Sequence, residues 1–486
     1  MGLALLAFAA ALTLWTLSQG ERTPLVDDAG PAACGERAPA DATPVSLPRE
    51  RNDAWNHLVG TVVCFTHELV VTELYDLGRH GALSLADRRL YGTGTGREIE
   101  DDARHVVRLV APGWRENAWP LPWGLDVGDV RVGDAVTDVA GRLGRGSDGG
   151  FDVVSVTTPS FEVRNPRPTA PPDVGGDLRI ASFNVFNYFL TLGARGARDA
   201  RELERQSAKL VAALALLDAD ILALAEVEND DGEALEALAL ALNAALEAGG
   251  SDRRYARAPR APAQRAGDTI RQALLYDPAR VEVTDARSDG DPIHLRPPQA
   301  ITVRHRGATD PHSALILVAV HHRSKGSCPT AGDVDVGYGC WNLVRSAQSD
   351  AVLRFATVLA RASGTSDVLV LGDLNAHRFE PPITLFERHD DEPSLGWEVL
   401  TDRVDEERAY SYVHFGRSAA LDHAIASVDL AARVSDVAYW PINADEPPVA
   451  DYRTRFNPPG AFRADPYRSS DHDPLVIGVS FPAPAP

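Results

Sequence analysis

The sequence predicts a layered α/β domain over residues 177–482, preceded by a small all-β domain of barrel type over residues 45–164. Three observations carry this. Beyond residue 177, short apolar runs alternate with longer stretches of helical spacing, the pattern of strands and helices in layers. Before residue 165 the chain consists of short β-branched runs broken by turn residues. Between them lies Asn165-Pro-Arg-Pro-Thr-Ala-Pro-Pro-Asp-Val-Gly-Gly, whose composition marks a linker over 165–176.

In chain order, Leu3 to Leu17 reads LALLAFAAALTLWTL, short for a membrane span and suited to the hydrophobic region of an export signal over residues 1–20. If it is retained rather than cleaved, it acts as an N-terminal anchor. Residues 21–44, rich in Pro, Ala and Asp, read as an irregular leader. The clearest strands of the all-β part are Val59–Cys64, Leu69–Leu74, Val106–Val110 and Phe151–Val156, with Val130–Val136 and Val139–Leu143 as a hairpin rim. Such barrels include oligonucleotide-binding ones, though a purely structural appendage fits the pattern equally well.

After the linker, strands are expected at Leu178–Phe183, Ile221–Ala225, Gln272–Tyr276, Val281–Val283, Ala314–Val320, Val368–Leu371, Leu421–Ala426 and Leu475–Val479. Helical spacing covers Arg201–Leu217, Glu233–Ala248 and Asn342–Ala362.

Composition bounds the function. The net charge of −21, from 48 basic and 69 acidic residues, excludes a broadly basic nucleic-acid coat. It leaves room for nucleic acid as a substrate contacted through a bound cation or a local Arg-rich groove. The basic residues are almost all Arg, with lysine only at Lys209 and Lys325. Cys34, Cys64, Cys328 and Cys340 form an even set without a CxxC metal pattern, which points to disulfides and an oxidising compartment, secreted or periplasmic. Cys328 and Cys340 bracket a Gly/Asp-rich loop and are the expected pair. Cys34 pairing with Cys64 and a free, buried Cys64 both stay open.

The chemistry lies in what terminates the strands. In order, these are Asn184, Glu226, His321, Asp373 with Asn375, Asp422, and Asp471 with His472. Each alone has an ordinary reading as a cap, a turn or a solvated end. Together they meet the needs of metal-assisted phosphodiester cleavage. A hard cation takes oxygen ligands, and Glu226, Asp471 and Asn184 supply them. His321 and His472 can hold a phosphate and move protons near neutral pH. Asp373 and Asn375 orient a water and a phosphate oxygen, and Asp422 orients a histidine. No GxxxxGK[ST] or H-E-x-x-H motif points to an NTPase or a zinc enzyme.

The segments ASFNVFNYF, DILALAEVEND, LGDLNAH, LDHAIAS and SSDHDPLV resemble the motifs of the endonuclease/exonuclease/phosphatase superfamily, with its deoxyribonuclease I-like fold, over residues 178–481. More narrowly, the chain resembles large secreted bacterial nucleases in which a barrel-like domain precedes the nuclease domain. Their disulfide loop is similar to Ser324–Cys328 through Gly339–Asn342, and their YSYV…LDHA segment to Tyr410–Val413 and Leu421–Ala424. The resemblance implies a four-layered sandwich of two packed sheets with flanking helices, and hydrolysis of nucleic acid, DNA more than RNA, with Mg²⁺ or Mn²⁺. It implies Asn184, Glu226 and Asp471 at the metal, and His321, Asp373, Asn375, Asp422 and His472 in catalysis. Val320 stands where the family has Asn before the histidine, and His322 replaces an apolar residue, so His321 is chosen as the site histidine. Asn187, Arg271, Lys325, Asn342 and Arg345 are the candidates for substrate contact. A structural Ca²⁺ on Asp333 and Asp335 is a further expectation, and no obligate protein partner is evident. The alternatives are a phosphomonoesterase or phospholipase of the same superfamily and a non-catalytic nucleic-acid-binding protein.

Overall fold

The computed structural model describes residues 34–481 except 36, 93–101, 148, 262–266, 308–313 and 389–394. The expected export signal and most of the leader therefore lie outside the described residues. Strand β1 is Thr43–Val45, β2 Val62–Phe65, β3 Leu69–Glu73, β4 Ala82–Ala86, β5 Leu90–Tyr91 and β6 Val106–Val110. They are followed by β7 (Ala135–Thr137), β8 (Ala140–Arg145), β9 (Phe151–Ser155) and β10 (Ser160–Glu162). The expected rim at Val130–Val136 is instead a turn up to Asp134, whose carboxylate caps the Arg131 amide at 2.7 Å. A buried carboxylate at that point favours the local turn over a ladder.

β2 and β3 follow one another in sequence, as do β7 and β8, and each pair behaves as one long bent strand. Their mutual ladder is antiparallel along its whole length, from Val62 opposite Arg142 to Val70 opposite Ala135. β8 continues to β9, β9 pairs parallel with β6, β6 with β4, and β4 returns to β3. The ladders thus run around one core of alternating residues, among them Val63, Leu69, Leu83, Leu109, Val136 and Val153.

The α/β part holds two six-stranded sheets. The first contains β11 (Leu178–Tyr188), β12 (Ile221–Glu228), β13 (Ala256–Arg257), β14 (Ile270–Tyr276), and the late strands β23 (Val434–Tyr439) and β24 (Leu475–Val479). The second contains β15 (Val281–Arg287), β16 (Gln299–His305), β17 (Ala314–His321), β18 (Val368–Asp373), β19 (Trp397–Val399) and β22 (Asp422–Ser427). A short third sheet joins β20 (Tyr412–His414), β21 (Arg417–Ala419) and β5, from the N-terminal part of the chain.

The central strands of both six-stranded sheets are buried on both faces, which is why they read as continuous apolar runs. Ile180, Ile221, Leu274, Leu317, Leu371 and Ile477 meet in one core between the sheets. The alternate residues Phe183, Leu224 and Leu275 face helices α1 (Ala200–Leu217) and α2 (Glu233–Ala248). Ile316, Val318 and Val370 face α3 (Asn342–Ser363) and α4 (Pro381–Glu387). The order is helix, sheet, sheet, helix.

The helix ends follow from local chemistry. Asp199 caps α1 through the Glu202 amide at 2.9 Å, and Asp230 caps α2 through the amides of Gly232 and Ala234, both at 2.7 Å. The cap of α3 comes from the disulfide loop: Asp333 accepts from the amides of Leu343 (3.0 Å) and Val344 (2.9 Å). Asp335 accepts from Gly337 and Gly339. The two carboxylates proposed for Ca²⁺ therefore shape the loop and start the helix. The loop is closed by the Cys328–Cys340 disulfide, and Cys34 is bonded to Cys64. Two disulfides fit an oxidising compartment. Among the described residues, no helix is long and apolar enough to cross a membrane.

Gly372 shows how closely the second sheet is packed. Its φ of 141° lies outside the range of L side chains, and a Cβ there would overlap the Val320 carbonyl oxygen. Gly372→Ala is expected to cost at least about 2 kcal/mol and to push His321 and Asp373 out of register. Chemical denaturation measures it, and unchanged stability would contradict this packing.

Candidate active site

Register alone assembles half of the site. In the second sheet His321 lies opposite Asp373 across the parallel β17–β18 pair, and Asp373 opposite Asp422 across β18–β22. In the first sheet Asn184 pairs with Ala225, one residue before Glu226, in the parallel β11–β12 pair. Asp471 and His472 arrive on the segment leading into β24. Irregular backbone aims these ends: Glu226 and Asn375 have φ of 66° and 49°, and β11 bulges between Asn184 and Tyr188.

At the junction His472 Nδ1 bonds Asp422 Oδ2 at 2.7 Å, and its Nε2 lies 4.0 Å from Asp373 Oδ2. His321 Nε2 is 3.4 Å from the same Asp373 oxygen. Asn184 donates from Nδ2 to Asp373 Oδ2 at 3.2 Å and also bonds Glu226. One lone pair of its Oδ1 takes the Phe186 amide at 3.0 Å, leaving the other free. Asn375 uses its amide on Asp373 Oδ1 (2.8 Å) and its side-chain nitrogen on the His322 carbonyl (3.2 Å).

These contacts separate the two neighbouring histidines. His322 turns the other way and bonds Ser349 Oγ on α3 at 3.1 Å, so it is a packed core histidine. His321 faces the cluster, with Nδ1 buried and without a partner. Burial, with Arg296 nearby, holds His321 well below the ordinary histidine range and so neutral.

His472 goes the other way. Burial would lower its pKa, but Asp422 and Asp373 outweigh burial and raise it well above the usual value. Asp373 is pushed up to about 7, by burial first and by Asp422 and Glu226, against the opposing pull of His472. Burial and the adjacent Asp471 raise Glu226. A proton-carrying imidazole thus sits beside a carboxyl that titrates near neutrality.

Two groups of side chains could hold a divalent ion. Ligand atoms of Asp373, Asp422 and His472 all lie within 4.8 Å of one another. There the positive His472 already balances both carboxylates, and its Nδ1 is taken by Asp422. Glu226 and Asp471 are oxygen donors whose mutual repulsion is relieved by a cation, and that suits a hard ion better.

Other assignments resolve differently. Asn187 sits in the β11 bulge beside Asn184, with Oδ1 buried and unpartnered. Asn342 opens α3, its Oδ1 also buried without a partner. Lys325 is bound to Glu380 Oε1 and to the Tyr338 carbonyl (3.2 Å). Arg345, fully buried, donates to the carbonyls of Cys340 (2.6 Å) and Tyr338 (3.0 Å). Both cations hold the disulfide loop. Arg271 lies on the helix-facing side of β14, opposite Val227, and lines a cavity of about 460 Å³ with Arg257 and Arg260.

Sequence reasoning missed what holds the catalytic loop. Asn443 accepts from the amides of Ser469 (2.8 Å) and Ser470 (3.2 Å) and donates to the His472 carbonyl at 2.6 Å. Asp473 accepts from Asn443 N at 2.6 Å. Tyr412 lays its ring 4.8 Å from that of His472. Tyr412, within YSYV, and Asp473, within SSDHDPLV, carried a signal, and Asn443 did not.

Two sheets meeting at a cluster of carboxylates, carboxamides and two oppositely tuned histidines define a phosphoester-hydrolase type of site. Residues 181–472 match the profile of the Endonuclease/Exonuclease/phosphatase family, and the chain belongs to that family. It is accordingly a hydrolase of phosphoester bonds. No curated protein sequence matches it. Among solved structures, the human Nocturnin catalytic domain is 17% identical, covering 62% of this chain and 93% of its own, with a TM-score of 0.38. An endonuclease/exonuclease/phosphatase from Bacteroides vulgatus is 13% identical over 62% of this chain and 99% of that one, TM-score 0.40. A mannosyl-6-phosphatase of Bacteroides thetaiotaomicron is 14% identical over 63% and 100%, TM-score 0.39.

Proposed function

We propose that the chain is a secreted, divalent-metal-dependent nuclease that hydrolyses phosphodiester bonds of DNA. The observation that carries this reading is the His472–Asp422 pair set against Asp373, with Glu226 and Asp471 beside it. Glu226, Asp471 and the free lone pair of Asn184 would hold Mg²⁺ or Mn²⁺. Such an ion supplies Lewis-acid polarisation of a phosphoryl oxygen. Asp373 accepts the proton of the attacking water, steadied by Asn375 and Asn184. His472, held protonated by Asp422, donates to a phosphate oxygen and stabilises the charge that builds there. His321, neutral, fixes the Asp373 oxygen.

The barrel favours a polymeric substrate over a small ester. Its closed five-stranded course, with β6 and β9 parallel, supports a domain of the oligonucleotide-binding type over 45–164, joined by a linker to a catalytic domain over 177–482. The disulfides, with the apolar Leu3–Leu17 run, support export to an extracellular or periplasmic space.

The pH profile tests the proton acceptor. With Asp373 at about 7, it binds a proton as pH falls below that value and loses its basic form. The rate kcat/KM on a DNA substrate is expected to fall about tenfold per pH unit on the acid side. A rate independent of pH between 5 and 8 would remove Asp373 from this role.

A further inference from the structure

A second cavity, of about 280 Å³, opens between the barrel and the sandwich. The barrel contributes Tyr75 and Arg79, the sandwich Arg453, Arg455 and Phe456. Arg79 and Arg455 flank one ring, their guanidinium carbons 4.1 and 4.6 Å from the Phe456 centroid. Among the described residues neither has a carboxylate partner. In a chain of net charge −21 that is a local reversal of sign. Arg453 links the cavity to the catalytic cluster: it lies 5.1 Å from the ring of Phe186, two residues beyond Asn184.

Aromatic side chains lead to the same place from the other side. The ring of Tyr412, next to His472, is followed by His414 at 6.0 Å and Phe415 at a further 4.2 Å. Phe415 is 79% exposed and Tyr75 67%, an unusual state for large rings. They belong to different halves of the molecule, yet one carboxylate fixes both: Glu73 accepts from Tyr75 N at 3.0 Å and from Gly416 N at 3.1 Å. These backbone hydrogen bonds, with a third from Leu74 N at 3.1 Å, present the rings on an anchored turn and hairpin rather than on free loops.

We propose that this groove is a track for single-stranded nucleic acid, with unpaired bases stacked on Tyr75 and Phe415 and phosphates held by Arg79 and Arg455. It rests on the nuclease reading and gives it a substrate form. Stacking on an aromatic face needs a base freed from its partner, so the track selects single strands over intact duplex. The arginines add an attraction that salt weakens.

The test is fluorescence anisotropy of a labelled 20-nucleotide thymidine oligomer with the full chain in EDTA, where hydrolysis is stopped. The wild type is expected to bind the oligomer at least tenfold more tightly than a duplex of equal length. Tyr75→Ala with Phe415→Ala weakens binding at least tenfold, and Arg79→Ala with Arg455→Ala flattens the salt dependence. Thermal melting checks that each variant folds. With Mg²⁺ restored, the aromatic pair raises KM on the oligomer and leaves hydrolysis of bis(p-nitrophenyl) phosphate within about twofold. Equal binding by wild type and aromatic variant overturns the track. So does wild-type preference for duplex, or binding of anionic vesicles without the oligomer. Failure of the nuclease reading is a separate result: no cleavage of any nucleic acid with Mg²⁺, whatever the anisotropy shows.

Discussion

His472→Ala is expected to lower kcat/KM for phosphodiester hydrolysis about a thousandfold. In the cluster the imidazole carries a positive charge that two flanking carboxylates stabilise. Removing it takes away the proton donor and leaves Asp373 and Asp422 repelling each other. General acid catalysis by a positioned side chain contributes on the order of 10² to 10⁴. Asp422→Asn gives a smaller loss, because the hydrogen bond survives and the charge that keeps His472 protonated does not. Steady-state kinetics at saturating Mg²⁺ measures both. A loss under tenfold for His472→Ala would mean that another group moves the proton.

Asp445→Ala is expected to destabilise the protein by about 3–5 kcal/mol, the cost of stripping a partner from a buried ion pair. Asp445 is fully buried, and its partners come from both the N-terminal all-β part and the α/β part of the chain. Its Oδ1 takes Arg89 at 2.6 Å; its Oδ2 takes Tyr410 at 2.6 Å and Asn165 at 2.7 Å; its carbonyl takes Val132 N at 3.0 Å. Beside it Glu446 pairs with Arg131 at 2.8 Å and with Arg167 Nε at 2.9 Å. Asn443, two residues earlier, holds the loop of His472. Asp445→Ala should therefore lower activity as well as stability. The exposed pair of Asp350 and Arg354 is the control, and Asp350→Ala should cost under about 0.5 kcal/mol. Guanidinium denaturation compares the two, and equal small effects would show that the N-terminal all-β part is only tethered.

The strand-end residues were legible because parallel pairing brings successive strand ends to one edge. Val368–Leu371 and Ile221–Ala225 are apolar throughout and stop at polar residues, so the strands and their terminal chemistry were read together. β16 and β23 were not expected: Gln299–His305 and Val434–Tyr439 alternate polar with apolar residues and lie near the sheet margins. The ion pairing of Lys325 and Arg345 with Glu380 was hidden because Glu380 is remote in sequence. The joint between the N-terminal all-β part and the α/β part was equally hidden, since Arg89 and Asp445 are separated by 356 positions. Long-range ion pairs leave no local periodicity to read.

The most direct test of the central claim is hydrolysis by the oxidised protein, with Mg²⁺ and then with EDTA. The substrates are supercoiled plasmid, linear duplex and single-stranded DNA, set beside a phosphomonoester and a phosphocholine ester. Cleavage of DNA that EDTA abolishes, with little release from the small esters, is the predicted result. Intact DNA together with metal-dependent release from the small esters would contradict it and make the chain a phosphomonoesterase or phospholipase of the same family.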